Sequence, residues 1–159
     1  MKHLTIAGIG AMEGHLTREA ERTFRSGAAV ILQTERCYLS ALLQDWGVPY
    51  ETADGCYEQA EDYDELNERV AELVLSRAAD DAVFAVPGCV RGQEMIAALL
   101  FEAKEREISV TILPGIGYGE AALAAAGLCE EQAARIVSAT DVEELSIDPG
   151  VPLVSQEVD

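Results

Sequence analysis

The chain contains no apolar run near the ~18 residues that a membrane span requires, and its N-terminus has no basic-then-apolar signal segment. A cytoplasmic protein is therefore expected. Histidine is scarce: His3 and His15 are the only two, and neither stands at a ligand spacing from a cysteine, so no metal site is expected. Cys37, Cys56, Cys89 and Cys129 are widely separated and form no C-x-x-C pair; without a signal segment they read as reduced thiols rather than disulfides. No lysine follows the glycine turns, which excludes a P-loop, and H-E-x-x-H, G-x-S-x-G and D-x-D-G calcium motifs are missing too. Basic residues are few, with 11 Lys and Arg against 29 Asp and Glu and a formal net charge of −18. Such a surface repels phosphate backbones and anionic lipid, so neither a nucleic-acid nor a membrane partner is expected.

What is present is an ordinary globular composition, 49% hydrophobic and 25% charged over 159 residues, a length that suits one compact domain. The acidity is local. Residues 1–50 balance their acids and bases, whereas 51–81 set 11 acids against Arg69 and Arg77 alone. An anionic ligand would therefore meet least repulsion in the first third of the chain.

Apolar runs of strand length alternate with helical patterns. Leu4-Thr5-Ile6-Ala7 is a strand ending at Gly8, and Leu16, Ala20 and Phe24 mark an amphipathic helix that stops near Ser26-Gly27. Residues 28–32, 82–86 and 109–113 are continuous apolar or β-branched runs, as in strands covered on both faces. Helices are expected over about 37–46, 63–79, 92–106 and 118–126, with a short last strand at 135–138. The repetition predicts an α/β fold: an open, mostly parallel five-stranded sheet with helices on both faces. The pattern changes after Thr140. Residues 1–140 read as the α/β domain, and 141–159 as an acidic, turn-rich linker leading into a second domain that begins at Val151-Pro152-Leu153-Val154.

In such sheets ligands sit beyond the carboxyl ends of the strands. Three of those ends carry glycine, at Gly8-Ile9-Gly10, Pro87-Gly88 and Pro114-Gly115, and the fold should bring them together. The first continues through Met12 to Gly14, and Glu35 follows at the end of the second strand, where a ribose-binding carboxylate would stand. The third glycine is one position late for a dinucleotide turn and Glu13 would repel a pyrophosphate, which favours a structural turn or a phosphate-free cofactor over the remaining alternative, a dinucleotide-binding Rossmann-type domain. His15 is a candidate base or an inert helical histidine. Cys89 is a candidate nucleophile or a packed thiol. Glu58, Glu61, Asp62, Asp64 and Glu65 form a candidate cation cluster or the solvated face of a helix. A site of backbone and small residues with little acid–base equipment suits a cofactor that carries its own reactivity, such as S-adenosylmethionine.

The motifs also occur in a recognisable order. Gly8-Ile9-Gly10 with Leu16-Thr17, Thr34-Glu35-Arg36, the run Tyr57-Glu58-Gln59-Ala60-Glu61-Asp62-Tyr63-Asp64-Glu65-Leu66, Val86-Pro87-Gly88 and Leu113-Pro114-Gly115-Ile116 follow one another across the chain. In these the sequence resembles the tetrapyrrole (corrin/porphyrin) methylase family from about Leu4 to Val158. It is most similar to the methylase-like domain fused to MazG-type nucleoside-triphosphate pyrophosphohydrolases. The resemblance implies an S-adenosylmethionine-dependent methyltransferase acting on a small molecule, with a tetrapyrrole as one candidate. Pro87, Gly88, Cys89, Val90, Pro114, Gly115, Ile116 and Gly117 would line the cofactor, while Gly8, Gly10 and Met12 would shape the substrate side. No general base is named. Ala11-Met12 replaces the Pro-Gly of the family's first loop, Cys89-Val90 stands where the subgroup has His-Pro, and Gly117-Tyr118 where the family often has serine. The chain alone is expected to be an incomplete, inactive part of such an enzyme. The alternative is a non-catalytic sensing or docking module that regulates a fused or partner pyrophosphohydrolase through the acidic face 57–72. Self-association into a homodimer through an exposed sheet edge fits either reading.

Overall fold

The computed structural model describes residues 2–131, 133–139, 142 and 146–156. The chain divides into two compact units, Met1–Ile116 and Gly117–Asp159.

The first unit is an open sheet of five strands, β1 (His3–Gly8), β2 (Ala29–Leu32), β3 (Tyr50–Thr52), β4 (Ala82–Val86) and β5 (Ser109–Leu113), in the order β3-β2-β4-β1-β5. Every pairing is parallel. Five helices surround it: α1 (Arg18–Phe24), α2 (Tyr38–Trp46), α3 (Asp54–Gln59), α4 (Tyr63–Arg77) and α5 (Glu94–Glu105).

The central strands lack polar alternation because both their faces are covered. Leu4, Ile6, Ile31, Phe84 and Val86 point to one side, where Leu66, Val70 and Val74 of α4 and Ile96 and Leu99 of α5 meet them. Ala7, Val30, Leu32, Val83 and Ala85 point to the other, against Ala20 and Phe24 of α1 and Leu39 and Leu43 of α2. The chain thus leaves β1 and β2 toward one face, and β3 and β4 toward the other. β5 is an edge strand, and its Ile112 is 46% exposed.

Local chemistry sets the helix ends. The Thr17 hydroxyl accepts the Ala20 N–H at 3.1 Å to cap α1, and the Asp62 carboxylate accepts the Glu65 N–H at 2.8 Å to cap α4. The Glu65 side chain reaches back to the Glu61 N–H at 2.8 Å. At the other end of α2, Gly47 takes the left-handed conformation that stops the helix.

Two elements escape the sequence pattern. The fifth strand of the sheet is Tyr50–Thr52, too short to show a period, and not 135–138. The six-residue α3 carries Asp54-Gly55, which reads as a turn. In the second unit, α6 (Tyr118–Ala125) accompanies a separate parallel pair formed by β6 (Arg135–Ser138) and β7 (Leu153–Gln156). Gly119 of α6 is buried, and a Cβ there would lie 2.4 Å from the Cδ1 of Ile136. Of the acidic linker expected from residue 141, residues 141 and 143–145 lie outside those described, as do 157–159.

Candidate functional site

The three glycine-bearing strand ends are brought together, backbone against backbone. The Gly10 N–H donates to the Gly88 carbonyl at 2.9 Å, and the Gly88 N–H returns a bond to the Gly10 carbonyl at 3.0 Å. This joins the ends of β1 and β4. Both glycines have positive φ, 67° and 73°, a conformation that a side chain disfavours. Gly8 lies directly against the β5 end: a Cβ on it would fall 2.4 Å from the Pro114 carbonyl oxygen, and one on Gly115 would fall 2.6 Å from the Gly8 carbonyl carbon. The Val90 N–H then donates to the Pro114 carbonyl at 2.9 Å, linking the β4 and β5 loops. Glycine is needed because the backbones touch.

Around this cluster the loops expose apolar side chains, with Glu13 and Arg91 the exposed charges beside them. Met12 is 56% and Ile116 40% exposed, Val90 is buried, and Pro87 and Cys89 are half-buried. The Cys89 thiol donates to the Arg91 carbonyl at 3.6 Å, and the Gln93 amide holds the Cys89 carbonyl at 3.0 Å. Gly117 belongs to the second unit, where it precedes α6 as its N-cap residue.

The other candidates have structural employment. His15 closes the first loop: its Nδ1 accepts the Ala11 N–H at 3.1 Å, which places the ring proton on Nε2. Residues Glu13–His15 form a 3-10 turn, and α1 begins only at Arg18 with Thr17 as its cap. The first glycine turn therefore does not open directly into a helix, as a pyrophosphate-binding turn would. Asp62 and Glu65 of the acidic run cap α4. Among the described residues, no three His, Cys, Asp or Glu side chains are gathered as for a metal ion. All four cysteines are free. Arg25 is committed to Glu21 at 3.0 Å and lies 5.3 Å from the Trp46 ring centroid.

A polar cluster at the ends of β2 and β3 has only Glu35 as a signal in the sequence. The Glu35 carboxylate accepts the Tyr50 hydroxyl at 2.7 Å, and that hydroxyl accepts from Gln44 at 2.9 Å. Gln44 lowers the Tyr50 pKa, but the Glu35 carboxylate and desolvation outweigh it, so the phenol is held above its ordinary value. Desolvation pushes the Asp54 carboxyl up, yet the Glu35 N–H, the Thr34 and Thr52 hydroxyls and the Arg36 charge together hold it below its ordinary value. The Tyr38 hydroxyl donates to the Ile9 carbonyl inside the first glycine loop. Gln33, just beyond β2, donates through Nε2 to the Tyr57 hydroxyl at 2.9 Å, while its Oε1 is buried without a partner among the described residues. Glu35 could be suspected because it follows the buried strand β2; Tyr38 and Gln44 lie in α2, Tyr50 opens β3 and Tyr57 lies in α3, where no such signal reaches. Their convergence depends on β3 and α3, the two elements that carry no periodic signal.

Fold and loops together define an open α/β domain with a glycine-built loop cluster at the carboxyl ends of its strands, the end at which sheets of this kind hold ligands. The profile of the Tetrapyrrole (Corrin/Porphyrin) Methylases matches residues 3–152, and the chain belongs to that family, whose members are S-adenosylmethionine-dependent methyltransferases. Among curated protein sequences none matches the chain. Solved structures that it resembles include a diphthine synthase, with 15% identity, a TM-score of 0.64, and coverage of 85% of this chain and 53% of that one. A cobalamin-synthesis-related protein (CobF) from Corynebacterium diphtheriae is similar at 20% identity and a TM-score of 0.69, over 98% of this chain and 71% of that one. The methyltransferase CobJ is similar at 18% identity and a TM-score of 0.64, over 89% of this chain and 57% of that one. At these identities the likeness is one of fold. The chain spans about half the length of the diphthine synthase and of CobJ. No helix among the described residues is long and apolar enough to cross a membrane.

Proposed function

We propose that this chain is the cofactor-binding domain of an S-adenosylmethionine-dependent methyltransferase that acts on a small molecule. The observation that carries the reading is the locked contact of Gly8 and Gly10 with Gly115 and Gly88, in a chain of this family. The residues present fit the cofactor in kind. Pro87, Cys89, Val90, Pro114 and Ile116 offer apolar side chains and backbone groups without a carboxylate to repel the methionine end. S-adenosylmethionine supplies a methyl group already activated on sulfur, so the protein's task is to hold donor and acceptor in line and exclude water. The glycine contacts keep the loops rigid for that task, and Met12 narrows the substrate side beside Gly8 and Gly10.

Calorimetric titration with S-adenosylhomocysteine, with NAD as the control ligand, tests this. The expected result is binding of the first alone. A bulky residue at Gly88 is a poor probe, because Gly88 is buried with positive φ and its backbone is bonded to Gly10; such a variant would damage the fold as well as the site. Cys89→Trp adds bulk at a half-buried position in the same loop. It should abolish S-adenosylhomocysteine binding with little change in the unfolding midpoint, and unchanged binding would overturn the site.

The finer reading is a domain of the kind fused to MazG-type pyrophosphohydrolases, working in the cytoplasm on a tetrapyrrole-like acceptor and self-associating along the β5 edge. A non-catalytic docking role for the face 57–72 is favoured by Tyr63, which stands 74% exposed beside Asp62 and Asp64. Under that role, Tyr63→Ala together with Asp64→Asn weakens association with the pyrophosphohydrolase; under the methyltransferase reading it does not.

A further inference from the structure

Gln33 continues β2 by one residue. Its N–H donates to the Ala85 carbonyl of β4 at 2.9 Å, and the preceding carbonyl, that of Leu32, accepts the Ala53 N–H at 2.9 Å. The residue is thus held between the ends of β4 and β3, two positions along the ladder from Pro87. Alternation along the strand sends its side chain to the face of Ile31, the side of α3. There the Tyr57 hydroxyl accepts from Nε2 at 2.9 Å and fixes the amide plane. The carbonyl end of the same amide is buried, and no donor among the described residues reaches it. The next loop holds the contrasting case: Gln93 spends its amide nitrogen on the Cys89 and Pro87 carbonyls, at 3.0 and 3.4 Å.

A buried carbonyl without a donor is costly, and its presence calls for a cause. Turning the amide over does not remove the cost. It would pair Oε1 with the Tyr57 hydroxyl and strand Nε2 instead, so one end of the amide faces away from protein donors and acceptors in either setting. The position is at the carboxyl end of the sheet, beside the strand that bears the Pro87–Val90 loop. Chains leave β2 and β4 toward opposite faces there, the topology at which α/β sheets hold ligands.

We infer that Gln33 is a ligand-reading residue, whose Oε1, oriented by Tyr57, accepts a hydrogen bond from a hydroxyl or amino donor on the nucleoside of the bound cofactor. The inference rests on the S-adenosylmethionine reading and adds a specificity determinant to it. A site built to bond such a donor discriminates strongly against a ligand that lacks it.

The test uses the 159-residue chain, with S-adenosylhomocysteine and its inosine analogue as probes, in calorimetric titration and thermal unfolding. Gln33→Leu keeps the approximate bulk of the side chain and removes both polar ends. It should weaken S-adenosylhomocysteine binding roughly tenfold, the equivalent of one hydrogen bond, while the unfolding midpoint without ligand stays the same or rises. Tyr57→Phe, which frees the amide to rotate, should weaken binding less and serves as the second variant if Gln33→Leu does not fold. A loss confined to S-adenosylhomocysteine identifies the adenine amine as the donor, and a loss shared with the inosine analogue identifies a ribose hydroxyl. Wild-type affinity in both variants overturns the inference and leaves the methyltransferase reading standing. Failure of the wild-type chain to bind S-adenosylhomocysteine overturns both, and the two failures are told apart by the wild-type titration alone.

Discussion

Three glycine-to-alanine substitutions, at the end of helix α2 and at two strand ends, separate the two reasons why glycine is required in this chain. Gly47 has φ of 67° and nothing within 4 Å of the point where a methyl group would stand, so Gly47→Ala meets conformational strain alone, about 1–2 kcal/mol. Gly8 has no positive φ, but its Cβ would stand 2.4 Å from the Pro114 oxygen. Gly8→Ala therefore meets a steric cost alone, about 1–3 kcal/mol for overpacking. Gly115 combines both, with φ of 75° and a Cβ 2.6–2.7 Å from three backbone atoms of Gly8. Backbone cannot swing aside as a side-chain tip can, so Gly115→Ala should cost about 2–5 kcal/mol, a large share of the roughly 5–15 kcal/mol that holds a domain together. Urea unfolding followed by the fluorescence of Trp46, the sole tryptophan, reads the first unit directly. With a slope of about 1–3 kcal/mol per molar, Gly115→Ala should lower the midpoint by roughly 1 M or more, and by more than either other variant. Equal midpoints for Gly115→Ala and Gly47→Ala would refute the argument that close backbone approach demands glycine here.

Other outcomes follow from single contacts. The depressed pKa of Asp54 stabilises the fold above the unfolded carboxylate value near about 3.9, and that contribution disappears as pH falls through the lower folded value. Asp54→Asn should therefore unfold more easily than wild type at pH 7, with the difference shrinking below pH ~4; a gap that stays constant in urea titrations across that range would exclude it. Tyr38→Phe removes the bond to the Ile9 carbonyl and should lower stability by about 1–2 kcal/mol at the same readout. Glu107 is the only non-glycine residue with positive φ among those described, at 54° beyond the end of α5. Glu107→Gly should stabilise by about 0.5–1 kcal/mol, the left-handed strain less the added chain entropy, and thermal unfolding would show a raised midpoint.

The sequence by itself determined the sheet's four long strands, their parallel sense and the helices between them. Strands covered on both faces are written as unbroken apolar runs such as Ala82–Val86, and helices as a four-residue recurrence such as Leu66, Val70 and Val74. The glycines that end three strands marked where their loops converge, because close backbone contact and positive φ both favour glycine there. The structure decided what no local pattern encodes. Tyr50–Thr52 becomes the fifth strand through its pairing with Val30–Leu32, a register between distant residues and not a propensity of its own. Arg135–Ser138, equally strand-like in composition, instead finds Leu153–Gln156. Tertiary contact likewise turned His15 into a latch, gave Glu35 to Tyr50 and left the carbonyl of Gln33 buried without a donor among the described residues. A side chain's chemistry is set by which neighbours reach it: His15 meets Ala11 four positions away within its own loop, whereas Glu35 and Gln33 meet Tyr50 and Tyr57 15 and 24 positions away, only when the sheet is assembled.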